Sequence, residues 1–146
     1  MKTLIVYDSF FGNTKLLAET IGKEFGNDAK VIHVSDFENE DLKGVGLLIV
    51  GSPILGWRPS EKTTAFIMSF GKDQLKGIKV ATFDTRMKIV IHGDATKKMS
   101  EMLAKLGAEV IVEPNWFIVT GKEGPLADGE LERAKEWGKQ INEMVV

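Results

Sequence analysis

The chain has 146 residues, and its 43% hydrophobic and 27% charged content is typical of a folded, soluble protein. Its 19 basic and 21 acidic residues leave a net charge of −2, which argues against nucleic-acid binding through neutralised phosphates. The absence of cysteine excludes disulfides, iron–sulfur clusters and cysteine nucleophiles. No apolar run approaches the ~18 residues of a membrane span, and the N-terminus does not resemble a signal peptide. We therefore expect one cytoplasmic domain over residues 1–146, with no membrane contact.

Short apolar runs alternate with segments of helical spacing along the whole chain. Strands are predicted at 4–7, 31–34, 47–50, 78–83 and 110–112, the last resuming at 116–119 after a break at Pro114. Helices are predicted over 13–25, from the cap Ser60 to Gly71, from the cap Asp94 to Gly107, and along a last stripe from Ala127 to Val145. Residues 35–44 have room for only about one helical turn, near the minimum for a parallel crossover. This alternation predicts an α/β domain with a mostly parallel sheet.

The loop after the first strand is suited to bind an anion. Ser9 and Thr14 offer hydroxyls, Asn13 offers an amide, and Gly12 allows the backbone to approach a ligand closely. Successive N–H groups lead into a helix N-terminus, where the helix dipole favours a phosphate. Two aromatic residues at the loop tip favour a planar ligand; they are Phe10 and Phe11. The loop is neither a Walker loop nor a dinucleotide fingerprint, because it lacks Gly-Lys-Ser/Thr and three spaced glycines. The alternative is a capped helix after an ordinary strand–helix turn.

Two further loops follow strand ends, where ligands of open parallel sheets bind. Residues 51–59 place Trp57 on a segment stiffened by Pro53 and Pro59, and a flat heterocycle would cover its ring. The alternative is that Trp57 folds back on its own domain. The fourth strand ends in the polar run Phe83-Asp84-Thr85-Arg86.

These residues carry a resemblance to a known family. The segment that resembles the flavodoxin phosphate-loop signature is Ile5-Val6-Tyr7-x-Ser9-x-x-Gly12-x-Thr14-x-x-x-Ala18-x-x-Ile21. The resemblance continues through 51–53, 81–86 and the turn at 121–126, so it spans nearly the whole chain. It implies a doubly wound, five-stranded parallel sheet of order 2-1-3-4-5 with helices on both faces.

The resemblance also implies one non-covalently bound FMN. Its phosphate would lie on residues 9–14, and its isoalloxazine between the loops at 53–58 and 83–86. The implied contacts are Ser9, Phe10, Phe11, Gly12, Asn13, Thr14, Pro53, Ile54, Leu55, Gly56, Trp57, Phe83, Asp84, Thr85 and Arg86.

The chain also departs from the flavodoxin pattern near the expected ring. Many flavodoxins have an acid where Arg58 stands, and an aromatic residue in the loop that here holds Thr85, Arg86 and Met87. Many are also far more acidic than a net charge of −2. These differences concern the stacking partners, the potentials and the docking partners of the flavin.

Other kinds of site find less support. His33 and His92 lack an acidic or second histidine partner at ligand spacing, so we favour packing roles over metal binding. No Gly-x-Ser-x-Gly elbow surrounds a serine, which argues against a hydrolase. A phospho-receiver site needs an acid pair after the first strand, where only Asp8 is available. The acidic run at 36–41 is typical of a solvated loop, and it would also suit docking of a basic partner.

Two function classes remain. In the first, FMN carries single electrons between transiently bound redox partner proteins, and no side chain does covalent or acid–base work. In the second, the chain is an FMN-dependent oxidoreductase that takes hydride from NAD(P)H and reduces a quinone or another acceptor. The sequence favours the carrier, because no nucleotide-binding loop is left over for NAD(P)H. A flavin-sensing or storage module is a third possibility.

Overall fold

The structure is a computed structural model that describes residues 1–55, 57–88 and 95–145. Its strands are β1 (Lys2–Tyr7), β2 (Ala29–His33), β3 (Val45–Leu55), β4 (Arg58–Pro59), β5 (Lys79–Met87), β6 (Glu109–Val110) and β7 (Asn115–Val119). Its α-helices are α1 (Asn13–Lys23), α2 (Glu61–Met68), α3 (Ala95–Lys105) and α4 (Glu130–Val145). The expected cap Asp94, and with it His92, lie outside the described residues.

The strands form a parallel sheet of order β2-β1-β3-β5-β6. Strand β6 pairs with the first part of β5 and β7 with its last part, so together they form the interrupted fifth strand that the sequence predicts. The short β4 pairs antiparallel with the end of β3. The predicted doubly wound arrangement of five strands is thus confirmed, with β5 as the fourth strand of that order.

Alternation along the central strands produces two apolar cores, one on each face of the sheet. Leu4 and Val6 of β1 point to a core that helices α2 and α3 cover. Ile5 and Tyr7 point to the opposite core, under helices α1 and α4. The continuous apolar runs therefore reflect strands that are buried on both sides.

Register aligns the C-terminal ends of the three central strands. Tyr7 pairs with Gly51, and Gly51 pairs with Phe83 on the next strand. Strands β3 and β5 extend beyond the predicted ends at residues 50 and 83, because Ser52 and Pro53 continue the ladder with β5. The three loops singled out in the sequence consequently meet at one edge of the sheet.

The crossover after β2 holds little helix, as the sequence predicts, whereas helix α4 begins later than predicted. The crossover after β2 contains only short 3₁₀ turns at Val34–Asp36 and Asn39–Leu42, and Phe37 fills it by packing edge-on against Phe66. Helix α4 begins at Glu130 because the N–H of Ala127 donates to Ile118 O at 2.9 Å and extends the sheet edge instead. Among the described residues, no helix is long and apolar enough to cross a membrane.

Candidate functional site

Helix α1 begins at the edge of the sheet with an open N-terminus. Its N-cap is Gly12, which has a left-handed backbone (φ +91°) that favours glycine. The Gly12 N–H donates to Ser9 Oγ at 3.0 Å, which folds the loop back on itself. No side chain within the described ranges caps the first turn of α1. The first N–H groups of the helix, which have no intrahelical acceptor, are therefore left for a ligand.

The floor beside this helix end is made by two threonines. Thr14 of α1 and Thr85 of β5 place their hydroxyl oxygens 2.9 Å apart, and they are 1% and 5% exposed. Either hydroxyl can donate to the other. The pair fastens the start of α1 to the end of β5 and leaves one hydroxyl hydrogen for a further acceptor.

A turn that follows β7 packs against the same helix end. The Asn13 side chain donates from Nδ2 to Glu123 O at 3.1 Å. The adjacent Gly124 has φ +101°, and a Cβ there would lie 2.6 Å from Asn13 Oδ1. Asn13 therefore holds this turn in place, a role that its expected contact with phosphate did not include.

These elements enclose a cleft at the C-terminal ends of the central strands. Its lining comes from all of the loops predicted from sequence and from the turn after β7: Ser9, Phe10, Phe11, Asn13, Thr14, Pro53, Ile54, Thr85, Arg86, Met87, Val119 and Lys122. Phe10 and Phe11 are about half exposed at its mouth, at 49% and 48%. Met87, Val119 and Lys122 were not among the predicted site residues. The sequence analysis did single out the segments of two of them, since Met87 lies in the loop after the fourth strand and Lys122 in the turn at 121–126. Val119 lies at the end of a predicted strand and had no such signal.

Two of the predicted contacts, Phe83 and Asp84, do not line this cleft, and their contact with FMN stays a prediction. Phe83 is fully buried and packs edge-on against Phe117 and Trp137, with ring centroids 5.9 Å away in both cases. Asp84 is also fully buried, on the opposite face of β5. Both residues lie below the strand end, because β5 continues to Met87. They therefore support the cleft from beneath instead of lining it.

The second loop is a hairpin between β3 and β4. Trp57 stands at its tip with φ +69° and is 50% exposed, and it is not part of the cleft wall that the described residues form. Gly56 lies outside the described residues, and so does the side chain of Leu55. Stacking of Trp57 on a bound ring stays a prediction.

Asp84 and Arg86 form a buried ion pair on one face of β5. They are two residues apart, so their side chains point the same way. Arg86 donates from Nε to Asp84 Oδ1 at 2.8 Å and from Nη2 to Oδ2 at 2.6 Å, and Oδ2 also accepts the Thr96 N–H at 3.1 Å. Burial raises the pKa of the Asp84 carboxyl, while the bonds from Arg86 limit that rise. The guanidinium lies 4.9 Å from the ring centre of Trp116.

A second polar pair joins β1 to β2. His33 Nε2 lies 3.2 Å from Asp8 Oδ1, and His33 Nδ1 accepts the Ser35 N–H at 3.0 Å. The His33 imidazole therefore contacts both Asp8, which follows β1, and the turn that follows β2. The statement that His33 lacks an acidic partner was therefore wrong. Asp8 and His33 are far apart in sequence, and the pairing of β1 with β2 brings them together. In the described part of the chain, no group of three or more His, Asp or Glu side chains is placed to hold a metal ion.

The donor set of the cleft fits a phosphorylated planar cofactor. Open helix N–H groups and a threonine pair suit the phosphate, and two half-exposed phenylalanines suit a flat ring. The strand order reverses between β1 and β3, the position where doubly wound folds bind nucleotides. Fold and site together define a nucleotide-binding protein of the doubly wound class.

Comparison with known proteins specifies the class. The family described as flavodoxin matches residues 5–137. A flavodoxin from Maridesulfovibrio salexigens is 30% identical over 154 residues, which cover 99% of each chain. The chain belongs to the flavodoxin family, and the cofactor of this family is FMN.

Solved structures agree on the fold. A flavodoxin from the domain Archaea is 25% identical, with a TM-score of 0.79 and 99% coverage of both chains. Flavodoxin 2 from Bacillus cereus is 22% identical, with a TM-score of 0.84 over 99% of both chains. The architecture is thus shared along the entire length of these proteins.

Proposed function

We propose that this protein is a cytoplasmic electron carrier that exchanges single electrons, through bound FMN, with separate and transiently bound redox proteins. The observation that supports this most strongly is the open N-terminus of α1 at the floor of an aromatic-lined cleft. Bound FMN would supply a ring that accepts or releases one electron at a time. The side chains around it have binding and shielding roles only.

Each part of the cleft has its own role in this proposal. The N–H groups at the start of α1, with the Thr14–Thr85 pair beside them, would hold the phosphate. Pro53 and Ile54 would cover the inner side of the ring from the end of β3. Phe10 and Phe11 would border it while leaving an edge open, and electron transfer to a protein partner needs such an edge.

The geometry favours a carrier over a hydride-transferring oxidoreductase. The latter needs a second phosphate-binding position, for NAD(P)H. The next helix along the chain, α2, does not offer one, because Ser60 Oγ accepts the Thr63 N–H at 3.2 Å and closes its first turn. Ser60 is 1% exposed, so this end of the helix is also covered.

An anaerobic titration separates the two functions. The purified protein should contain one FMN per chain or take it up when it is added. Dithionite should reduce the flavin in two resolved one-electron steps, while NADPH at equal concentration should leave the absorbance at the visible flavin bands unchanged. Rapid bleaching by NADPH, followed by reduction of a quinone, would establish the oxidoreductase instead. A chain that takes up no FMN would contradict both.

A further inference from the structure

We propose that Lys122 recognises the phosphate of FMN and makes this chain discriminate between FMN and unphosphorylated riboflavin. This inference rests on the proposed function, because it concerns the same cleft. Lys122 belongs to the turn after β7 and is one of the residues that line the cleft, together with Ser9, Asn13 and Thr14. It thus adds a positive charge to a loop whose own donors are neutral.

The turn that carries Lys122 has a defined shape. Pro125 O accepts both the Thr120 N–H, at 2.8 Å, and the Thr120 hydroxyl, at 2.9 Å. Inside it, the Gly124 N–H donates to Gly121 O at 3.0 Å. Lys122 lies within this closed turn, so its backbone position is fixed relative to the end of β7.

The turn is also fixed relative to helix α1. The residue next to Lys122 is Glu123, whose carbonyl accepts the Asn13 side chain at 3.1 Å. Asn13 is the first residue of α1. The Lys122 backbone is therefore anchored, through one intervening residue, to the helix end where the phosphate would bind.

The charge of Lys122 is available to a ligand. Its side chain is exposed and forms no ion pair with any carboxylate in the described ranges. An ammonium that meets a phosphate makes a charge-assisted hydrogen bond, about twice as strong as a neutral one. Such a bond would be absent with riboflavin, which has no phosphate.

Lys15 provides a matched control. It lies in the first turn of α1, is exposed like Lys122, and is not part of the cleft lining. Substitution of its side chain keeps the backbone N–H that is proposed to face the phosphate, so only the charge of the side chain is removed. Substituting Gln at either position removes one positive charge near the same helix end. A difference between the two variants therefore reports on contact with the phosphate and not on overall charge.

The test measures dissociation constants of FMN and riboflavin by quenching of flavin fluorescence, at low salt and at 0.5 M salt. Lys122→Gln should weaken FMN about tenfold at low salt, leave riboflavin unchanged, and reduce the salt dependence of FMN binding. Lys15→Gln should change the ratio of the two constants by less than about twofold. Lys122→Arg should retain most of the preference for FMN.

Three results would overturn the inference. One is an unchanged ratio of constants in Lys122→Gln, and another is an equal loss with Lys15→Gln. The third is a parallel loss of FMN and riboflavin in Lys122→Gln, which would show that Lys122 only maintains the shape of the turn. If the wild-type chain binds neither flavin, the proposed function fails as well, so the two failures are distinguishable.

Discussion

Helices α1 and α2 begin at the same edge of one sheet, yet the N–H groups of their first turns differ in their hydrogen-bond acceptors. The N-terminus of α2 is capped by side chains of the protein: Ser60 Oγ accepts the Thr63 N–H, and Ser52 Oγ accepts the Ser60 N–H at 2.9 Å. We call such a capped N-terminus a closed end, and the uncapped one of α1 the open end. Helix α1 has Gly12 at the same place, with a left-handed backbone and no side-chain cap among the described residues. Uncapped N–H groups are costly unless something accepts their hydrogen bonds. The difference supports the proposal that the FMN phosphate accepts the hydrogen bonds of the first α1 N–H groups, whereas the protein itself accepts those of α2.

Helix α3 resembles α2 in this respect. The Thr96 N–H in its first turn donates to Asp84, so a carboxylate from the sheet accepts there. The same carboxylate holds Arg86, and both side chains are buried. Substitutions at the closed ends should therefore affect stability first, and substitutions at the open end should affect FMN binding first.

The largest effect is expected at Asp84. Asp84→Ala removes the buried carboxylate that accepts two hydrogen bonds from Arg86 and one from the Thr96 N–H, so the free energy of unfolding should fall by roughly 3–5 kcal/mol. Urea denaturation of the FMN-free protein measures this. A loss below about 1 kcal/mol would mean that water reaches the guanidinium and that the pair is not a structural support.

At the hairpin that leads into α2, Trp57→Ala should weaken FMN by about 1–3 kcal/mol if the half-exposed indole stacks on the ring. Trp57 fluorescence should then be quenched in the FMN-bound form and recover when the flavin is removed. A variant that lacks both Trp116 and Trp137 isolates its signal. Equal affinity in both proteins would show that the indole points away from the flavin.

At the open end, Thr14→Ala should weaken FMN binding by about 1–2 kcal/mol, because the hydroxyl pair beside the phosphate position is broken. Thr85→Ala should have a similar effect, since the two hydroxyls act together. Both variants should keep the cooperative unfolding of the wild type. If Thr14→Ala unfolds the chain, the hydroxyl pair is needed for folding, and the interpretation of Thr14 as a phosphate-binding residue fails.

At the closed end, Ser60→Ala should give the opposite result. The lost cap should lower the free energy of unfolding by about 1 kcal/mol, while FMN affinity stays unchanged. Titration calorimetry with FMN and urea denaturation on the same preparation give both values. A loss of FMN affinity as large as that of Thr14→Ala would remove the distinction between the two helix ends.

The smallest effect concerns Arg58, which is exposed beside Phe10 and Asp8 at the edge of the site. A nearby positive charge favours the second one-electron reduction of FMN, which adds negative charge. Arg58→Glu should therefore make that potential more negative by some tens of millivolts at low ionic strength, and salt should diminish the shift. An unchanged potential at low salt would place the guanidinium away from the flavin.

The strands, helices and caps could be predicted from the sequence, because apolar runs and capping residues are local signals. The sheet order was implied by the resemblance to flavodoxins, and the meeting of three loops followed from the parallel sheet, whose strands end at one edge. The Ser60 cap, for example, was predicted correctly from its position before a helical stripe. The structural role of Asp84 was not predicted. Its carboxylate accepts hydrogen bonds from Arg86 and from the Thr96 N–H, and only the tertiary structure brings Thr96 to β5. The Asp8–His33 pair was missed for the same reason, since it joins neighbouring strands.

Nuclear magnetic resonance of backbone amides tests the central claim most directly. When FMN is added to the FMN-free protein, the amide signals of Asn13, Thr14 and Lys15 should shift strongly, while that of Thr63 at the closed end of α2 should move little. Riboflavin should shift the first group far less, because it has no phosphate to accept their hydrogen bonds. Shifts of equal size with FMN and riboflavin at residues 13–15 would contradict the assignment of the open helix end to the phosphate.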